Sequence, residues 1–193
     1  MDIENWIILI IMAIVMVVGI AMTVSQNRKR KEMLALQAQK HGGEVSGDGF
    51  LRRLELRLPV RGETVIICSR PRGRYNPPET SARLRLDNPR FPTMRIKRND
   101  LGQKLMGALG KERFLTGDET FDTRFAIISE DAYQVQRLLT DDLKRVFMEP
   151  YFNTLEMKVS PQELFISIKS IPGTDQEYDA FIDTVLLVLQ KIL

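Results

Sequence analysis

The chain has 193 residues and a formal net charge of +3, with 28 Lys and Arg, 25 Asp and Glu, one His and one Cys. So few His and Cys exclude a zinc site, which needs several such ligands, and an internal disulfide; a lone Cys68 suits a reducing compartment. The charge is unevenly spread: residues 28–104 carry 19 basic and 8 acidic side chains, a net +11, whereas residues 105–193 carry 9 and 15, a net −6.

The first element is an apolar helix. No charged side chain falls between Asn5 and Asn27, and "WIILIIMAIVMVVGIAMTV", Trp6 to Val24, is 19 residues of almost unbroken apolar character. At 1.5 Å per residue it spans about 28 Å, close to the ~30 Å hydrocarbon core of a bilayer. Asp2 and Glu4 precede it, no Lys or Arg does, and "AMTVSQ" is a poor cleavage site, so the run reads as an uncleaved anchor and not as a signal peptide. Arg28, Lys29, Arg30 and Lys31 follow directly. Positive flanks stay in the cytoplasm, which predicts a short extracytoplasmic N-terminus (1–5), a transmembrane helix (6–24), a juxtamembrane helical stalk (25–42) and a cytoplasmic domain (43–193).

"RKRKEMLALQAQK" continues the helix as far as Gly42-Gly43, and "GGEVSGDG" reads as the domain boundary. From Phe50 the period changes to two. Leu54, Leu56 and Leu58 alternate with Arg53, Glu55 and Arg57, and "PVRGE" turns into a second strand, "TVIICS". "RPRGRYNPPET" is an Arg-, Pro- and Gly-rich loop. "SARLRLD" and "TMRIK" alternate again, and "LGQKLMGALG" is a weak helix at best, because of Gly102 and Gly107.

"TGDETFDTRF" comes next. Asp118 and Asp122 would share a face if it were helical, but a strand starting near Thr123 predicts a turn. "RFAIIS" then reads as a buried strand. Ser129 or Asp131 caps one helix, and Thr140 to Asp142 open another that runs to Glu149. "TLEMKV" and "ELFISIK" form a hairpin. Thr174 and Glu177 form the capping box of a last helix, with Tyr178, Phe181, Ile182, Val185 and Leu189 at helical spacing. The fold class is therefore α+β: a mostly antiparallel sheet with helices packed on one face, after an N-terminal transmembrane helix. Strands followed by a final helix resemble lipid-binding PH-like barrels in order alone.

Two groups of residues are candidates for function. The first is acidic: Asp118, Glu119 and Asp122 are the only candidates for carboxylate catalysis, with Mg²⁺ assisting on a phosphate-bearing substrate. The structural alternative makes Asp118 a turn or cap residue, lets Asp122 bond the backbone or an Arg, and uses Phe121 and Phe125 as anchors to the core. The spacing does not fit an EF-hand, and no phosphate-binding glycine loop or nucleophile elbow is present, so no metal or cofactor is expected. The second group is basic: Arg28, Lys29, Arg30 and Lys31 after the span, and Arg70, Arg72 and Arg74 in the Arg-rich loop, suit phosphates of lipid headgroups. Tyr75 is the one aromatic in that loop, which disfavours nucleic acid.

"TGDETFDTRFAIISED" and "RLLTDDLKRVF" resemble a pattern in a family of bacterial single-pass membrane-anchored proteins with no assigned function. In that family an apolar anchor and a Gly-Gly segment precede G-D-x-x-F-D-x-x-F, here Gly117, Asp118, Phe121, Asp122 and Phe125, followed by a Leu-Leu-Thr helix start, here Leu138, Leu139 and Thr140. The resemblance implies a protein of the bacterial cytoplasmic (inner) membrane and imports no activity. The expectation is a tethered, non-catalytic interaction module that binds a protein partner or an anionic lipid surface, with a carboxylate-dependent enzyme as the alternative and nucleic-acid binding as a weaker one.

Overall fold

The computed structural model describes residues 3–49, 53–70, 73, 76–86, 93–99, 113–129 and 131–193. One helix, α1 (Ile3–His41), runs unbroken for 39 residues. It contains a window of mean hydropathy 2.0 with none of it buried, long and apolar enough to cross a membrane. Ile10, Val15, Val18 and Val24 are among its exposed side chains. A helix apolar on all sides has no stable place in water. Its last turns differ: Leu34 and Ala38 are buried in the core, and so is Gln37. The last turns of the stalk helix thus pack against the body that follows Gly42-Gly43.

At Gly42 the backbone turns left-handed (φ 69°), and the Gly43 amide donates to the Ala38 carbonyl at 2.8 Å, closing the helix end. A Cβ on Gly43 would collide with the Arg57 carbonyl and the Leu58 side chain, so only glycine lets the chain pass here. It then enters β1 (Glu44–Ser46), followed by β2 (Glu55–Val60), β3 (Glu63–Arg70), β4 (Glu79–Arg85), β5 (Met94–Arg98) and β6 (Arg113–Phe114). Next come α2 (Glu119–Arg124), β7 (Phe125–Ser129), α3 (Ala132–Leu138) and α4 (Asp141–Met148). A 3₁₀ turn (Pro150–Phe152), β8 (Glu156–Val159), β9 (Glu163–Ile168) and α5 (Asp175–Ile192) complete the chain. The weak helix considered over "LGQKLMGALG" lies outside the described residues.

Among the described residues the strands form one nine-stranded sheet in the order β1-β2-β3-β4-β9-β8-β5-β7-β6. Every neighbouring pair is antiparallel. Among the described residues no pair joins β1 to β6, so the described sheet is open, unlike a barrel. Alternation sends Leu56, Leu58, Val65, Ile67, Leu84, Ile166, Met157 and Ile96 to one face. There they pack with Leu34 of α1, Val135 of α3, Leu143 and Phe147 of α4, and Phe181, Ile182 and Val185 of α5 in a single core. The architecture is α+β with the helices on one face, as the sequence indicates. Thr174 accepts from the Glu177 amide at 3.2 Å and Glu177 reaches back to the Gly173 amide at 2.6 Å, which fixes the start of α5.

Candidate functional site

The acidic stretch folds differently from a turn entering a strand at Thr123. Glu119–Arg124 is helical, and the strand begins at Phe125. Asp118 is the N-cap, its Oδ1 accepting from the Phe121 amide at 3.0 Å. Asp122 accepts from the Thr116 amide at 3.0 Å, the Thr116 hydroxyl at 2.9 Å and the Gly117 amide at 3.1 Å. Gly117 has φ 84°, which bends the loop back over that carboxylate. The Phe121 and Phe125 rings stack with centroids 4.9 Å apart, both fully buried, and Phe125 also meets Phe147 at 6.2 Å. Arg124 donates to the Met148 carbonyl at 2.8 Å and to Asn153, joining this corner to the end of α4. Each residue of the G-D-x-x-F-D-x-x-F pattern therefore has a part in one local latch. Glu119 is exposed in the first turn of α2.

Of the basic candidates, Arg28 to Lys31 and Arg70 lie toward one end of the described domain. β1 starts beside Ala38, where Gly43 is bonded, and the chain after it returns to Asn27, whose Nδ2 donates to the Gly49 carbonyl at 2.7 Å. The strands thus run along α1, and their register carries Arg70, the last residue of β3, to the end marked by Asn27. The end of β9 arrives there as well: Thr80 pairs with Ile168, and its hydroxyl donates to the Ser170 carbonyl at 2.8 Å. Lys29 and Arg30 line a groove of about 610 Å³ with Met33, Leu36, Pro172 and Tyr178. The Tyr178 hydroxyl lies 3.4 Å from that of Ser69, the neighbour of Arg70. Burial pushes the Tyr178 pKa up, while the Ser69 hydrogen bond and the positive charge of Arg30 act against that rise. The Arg70 Nε is buried and has no hydrogen-bond partner. Arg28 pairs with Glu32 at 3.0 Å at the exposed surface, a contact of little energetic weight, and Lys31 is exposed on α1. Arg72, Arg74 and Tyr75 lie outside the described residues.

Sequence reading missed the contact that joins α1 to the domain. The Gln37 amide donates to Asp175 at 2.7 Å and to Asp179 at 2.9 Å, and the Lys40 ammonium pairs with both carboxylates. Hydrogen bonds from Lys40 and then Gln37 hold the Asp179 pKa below the usual carboxylate range, and Asp175 followed by Asp179 raises that of Lys40. The acids in the first turn of α5 are the only hint of this in the sequence, and a helix N-terminus favours acids anyway. His41 ends α1, and Cys68 is buried beside Ser81. Among the described residues no group of three or more His, Cys, Asp or Glu side chains could hold a metal.

No protein-family model and no curated protein matches this chain. Among solved structures the fold is similar to that of the mycobacterial trehalose monomycolate transport factor A, TtfA. The TM-score is 0.53 at 13% identity, over 86% of this chain and 93% of that one. The likeness is one of fold.

Proposed function

We propose that this chain is a single-pass, membrane-tethered interaction module of a bacterial cytoplasmic membrane. In this reading the N-terminus is outside and the α+β domain lies in the cytoplasm, with its basic end seated on anionic headgroups. The observation that carries the proposal is the docking of α1. α1 runs unbroken from its apolar span into the core, which keeps Lys29, Arg30, Lys31 and Arg70 at the end of the domain nearest the span. At about 1 kcal/mol per cation near an anionic leaflet, four of them favour this seating by roughly 4 kcal/mol. Basic residues after the span support the orientation, and the pattern Gly117 to Phe125 supports a bacterial origin through the family it resembles.

The module acts by binding, to lipid and to a protein partner. A fold found in a transport factor is in keeping with an accessory role of this kind. The carboxylate-enzyme alternative needs Asp118 and Asp122 converging on a cleft, whereas both accept hydrogen bonds from their own loop.

The test uses the full chain in nanodiscs, with a nitroxide at Lys169→Cys in a Cys68→Ser background. In phosphatidylglycerol-rich discs the label should sit within a Debye length, ~10 Å, of the lipid phosphates, and in phosphatidylcholine or at high salt α1 and the domain should tilt away together as one rigid body. An identical position in both lipids would refute the seating. Digestion of the domain by protease added outside intact cells would refute the orientation.

A further inference from the structure

The helices cover one face of the sheet, and the opposite face is patterned. Registers place Arg57 of β2, Arg83 of β4, Lys158 of β8 and Arg95 of β5 in a single row across the strands. Between them in the same row stand Ile66 of β3 and Phe165 of β9, and Ile128 of β7 follows Arg95. Seven neighbouring strands at about 4.8 Å spacing make this row about 29 Å long. Its cations are accessible, with the Arg57, Lys158 and Arg95 side chains 44%, 49% and 40% exposed. Ile66, Phe165 and Ile128 are half-buried between them.

We infer that this face docks an acidic, amphipathic segment of a partner protein, with carboxylates on the row of cations and apolar side chains on Ile66, Phe165 and Ile128. The face already shows this chemistry twice: Arg57 meets the Glu55 carboxylate at 3.5 Å, and Arg95 grips the Glu156 carboxylate at 2.6 and 2.9 Å, with Lys158 approaching the same oxygen at 3.4 Å. Nucleic acid fits less well. The Phe165 ring carries the Arg83 guanidinium 5.1 Å and the Lys158 ammonium 5.6 Å from its centroid, so the aromatic surface that a base would stack on is occupied by cations. The membrane also fits less well, because the row crosses the strands at mid-length while the end beside Asn27 faces the bilayer. A row mixing cations with half-buried apolar anchors matches a protein interface, in which charge steers and the apolar centre supplies affinity. This docking goes beyond the lipid reading and uses a different surface.

The experiment uses the full chain in neutral phosphatidylcholine nanodiscs, which silences lipid attraction. The probes are a labelled amphipathic Glu/Leu peptide, a Glu/Ser peptide of the same charge and poly(U) RNA, and binding is followed by fluorescence anisotropy. The Glu/Leu peptide should bind more tightly than the other two. The pair Arg83→Glu/Lys158→Glu should weaken it by at least about tenfold, Arg83→Gln/Lys158→Gln should weaken it less, and Asp142→Lys on the helix side should not weaken it. RNA binding as tightly as the peptide would overturn the proposal, as would peptide binding indifferent to both pairs. Self-association of the chain that the same pairs abolish would assign the face to a second copy instead. Loss of seating on anionic discs with peptide binding intact would fault the lipid reading alone.

Discussion

Two pairs of carboxylates, Asp118/Asp122 and Asp175/Asp179, do opposite kinds of work. The first accepts hydrogen bonds from residues no more than six positions away and holds one corner of the core together. The second accepts from α1 across more than a hundred residues of chain and ties the membrane-crossing helix to the domain. The contrast shows that an acidic motif dense enough to suggest chemistry can be a local latch, while acids that look like ordinary helix-start residues can couple two parts of a molecule.

The comparison breaks first at the latch. Phe125→Ala removes a fully buried ring stacked on Phe121, and should cost about 3–5 kcal/mol in urea unfolding of the full chain in detergent. Asp122→Ala leaves the Thr116 and Gly117 amides without their acceptor and should cost about 1–3 kcal/mol, with Asp122→Asn costing less. Wild-type stability in Asp122→Ala would mean that the carboxylate is not structural and would reopen the catalytic reading. Asp118→Ala loses a helix cap and should cost about 1 kcal/mol.

The α1–α5 contact should show the smallest effect on global unfolding, because its charges stay about a third exposed and are screened by solvent. Lys40→Ala should instead speed amide exchange at residues 34–41 and leave the latch unchanged. The pH dependence has a definite sign. The Asp179 pKa is lowered from 3.8, so its contribution is complete above that value and disappears as pH falls through the lower folded value. The Lys40 pKa is raised from 10.5, so its contribution holds below that value and disappears as pH rises through the higher folded one. Between those limits the α1–α5 contact should be intact, and it should weaken below pH 3.8 on the acid side and above pH 10.5 on the alkaline side, while Leu34 and Ala38 keep α1 packed in the core.

Much of this architecture was legible in the sequence. Alternation in "RLELRL" and "RLRL" located β2 and β4, and Thr174 with Glu177 located the start of α5. The helix at Glu119–Arg124 was not legible. Thr120, Phe121 and Thr123 favour a strand, and it is the Asp118 cap and the burial of Phe121 that decide otherwise. The docking of α1 was half legible: Leu34 and Ala38 lie on one helical face, but the surface they meet comes from β1, β2 and α5, remote in sequence. The row of cations on the open face was invisible for the same reason. Each strand shows its own Arg or Lys, and only the registers place them side by side.

The central claim is that α1 is one rigid element from the bilayer into the core. Hydrogen–deuterium exchange of the full chain in nanodiscs tests it directly, by reading the amides between Ser25 and His41. The account predicts slow exchange throughout, continuous with the span on one side and with β1 and α5 on the other. Rapid exchange between Asn27 and Met33 would reveal a hinge, leave the domain free to turn away from the bilayer, and contradict the account.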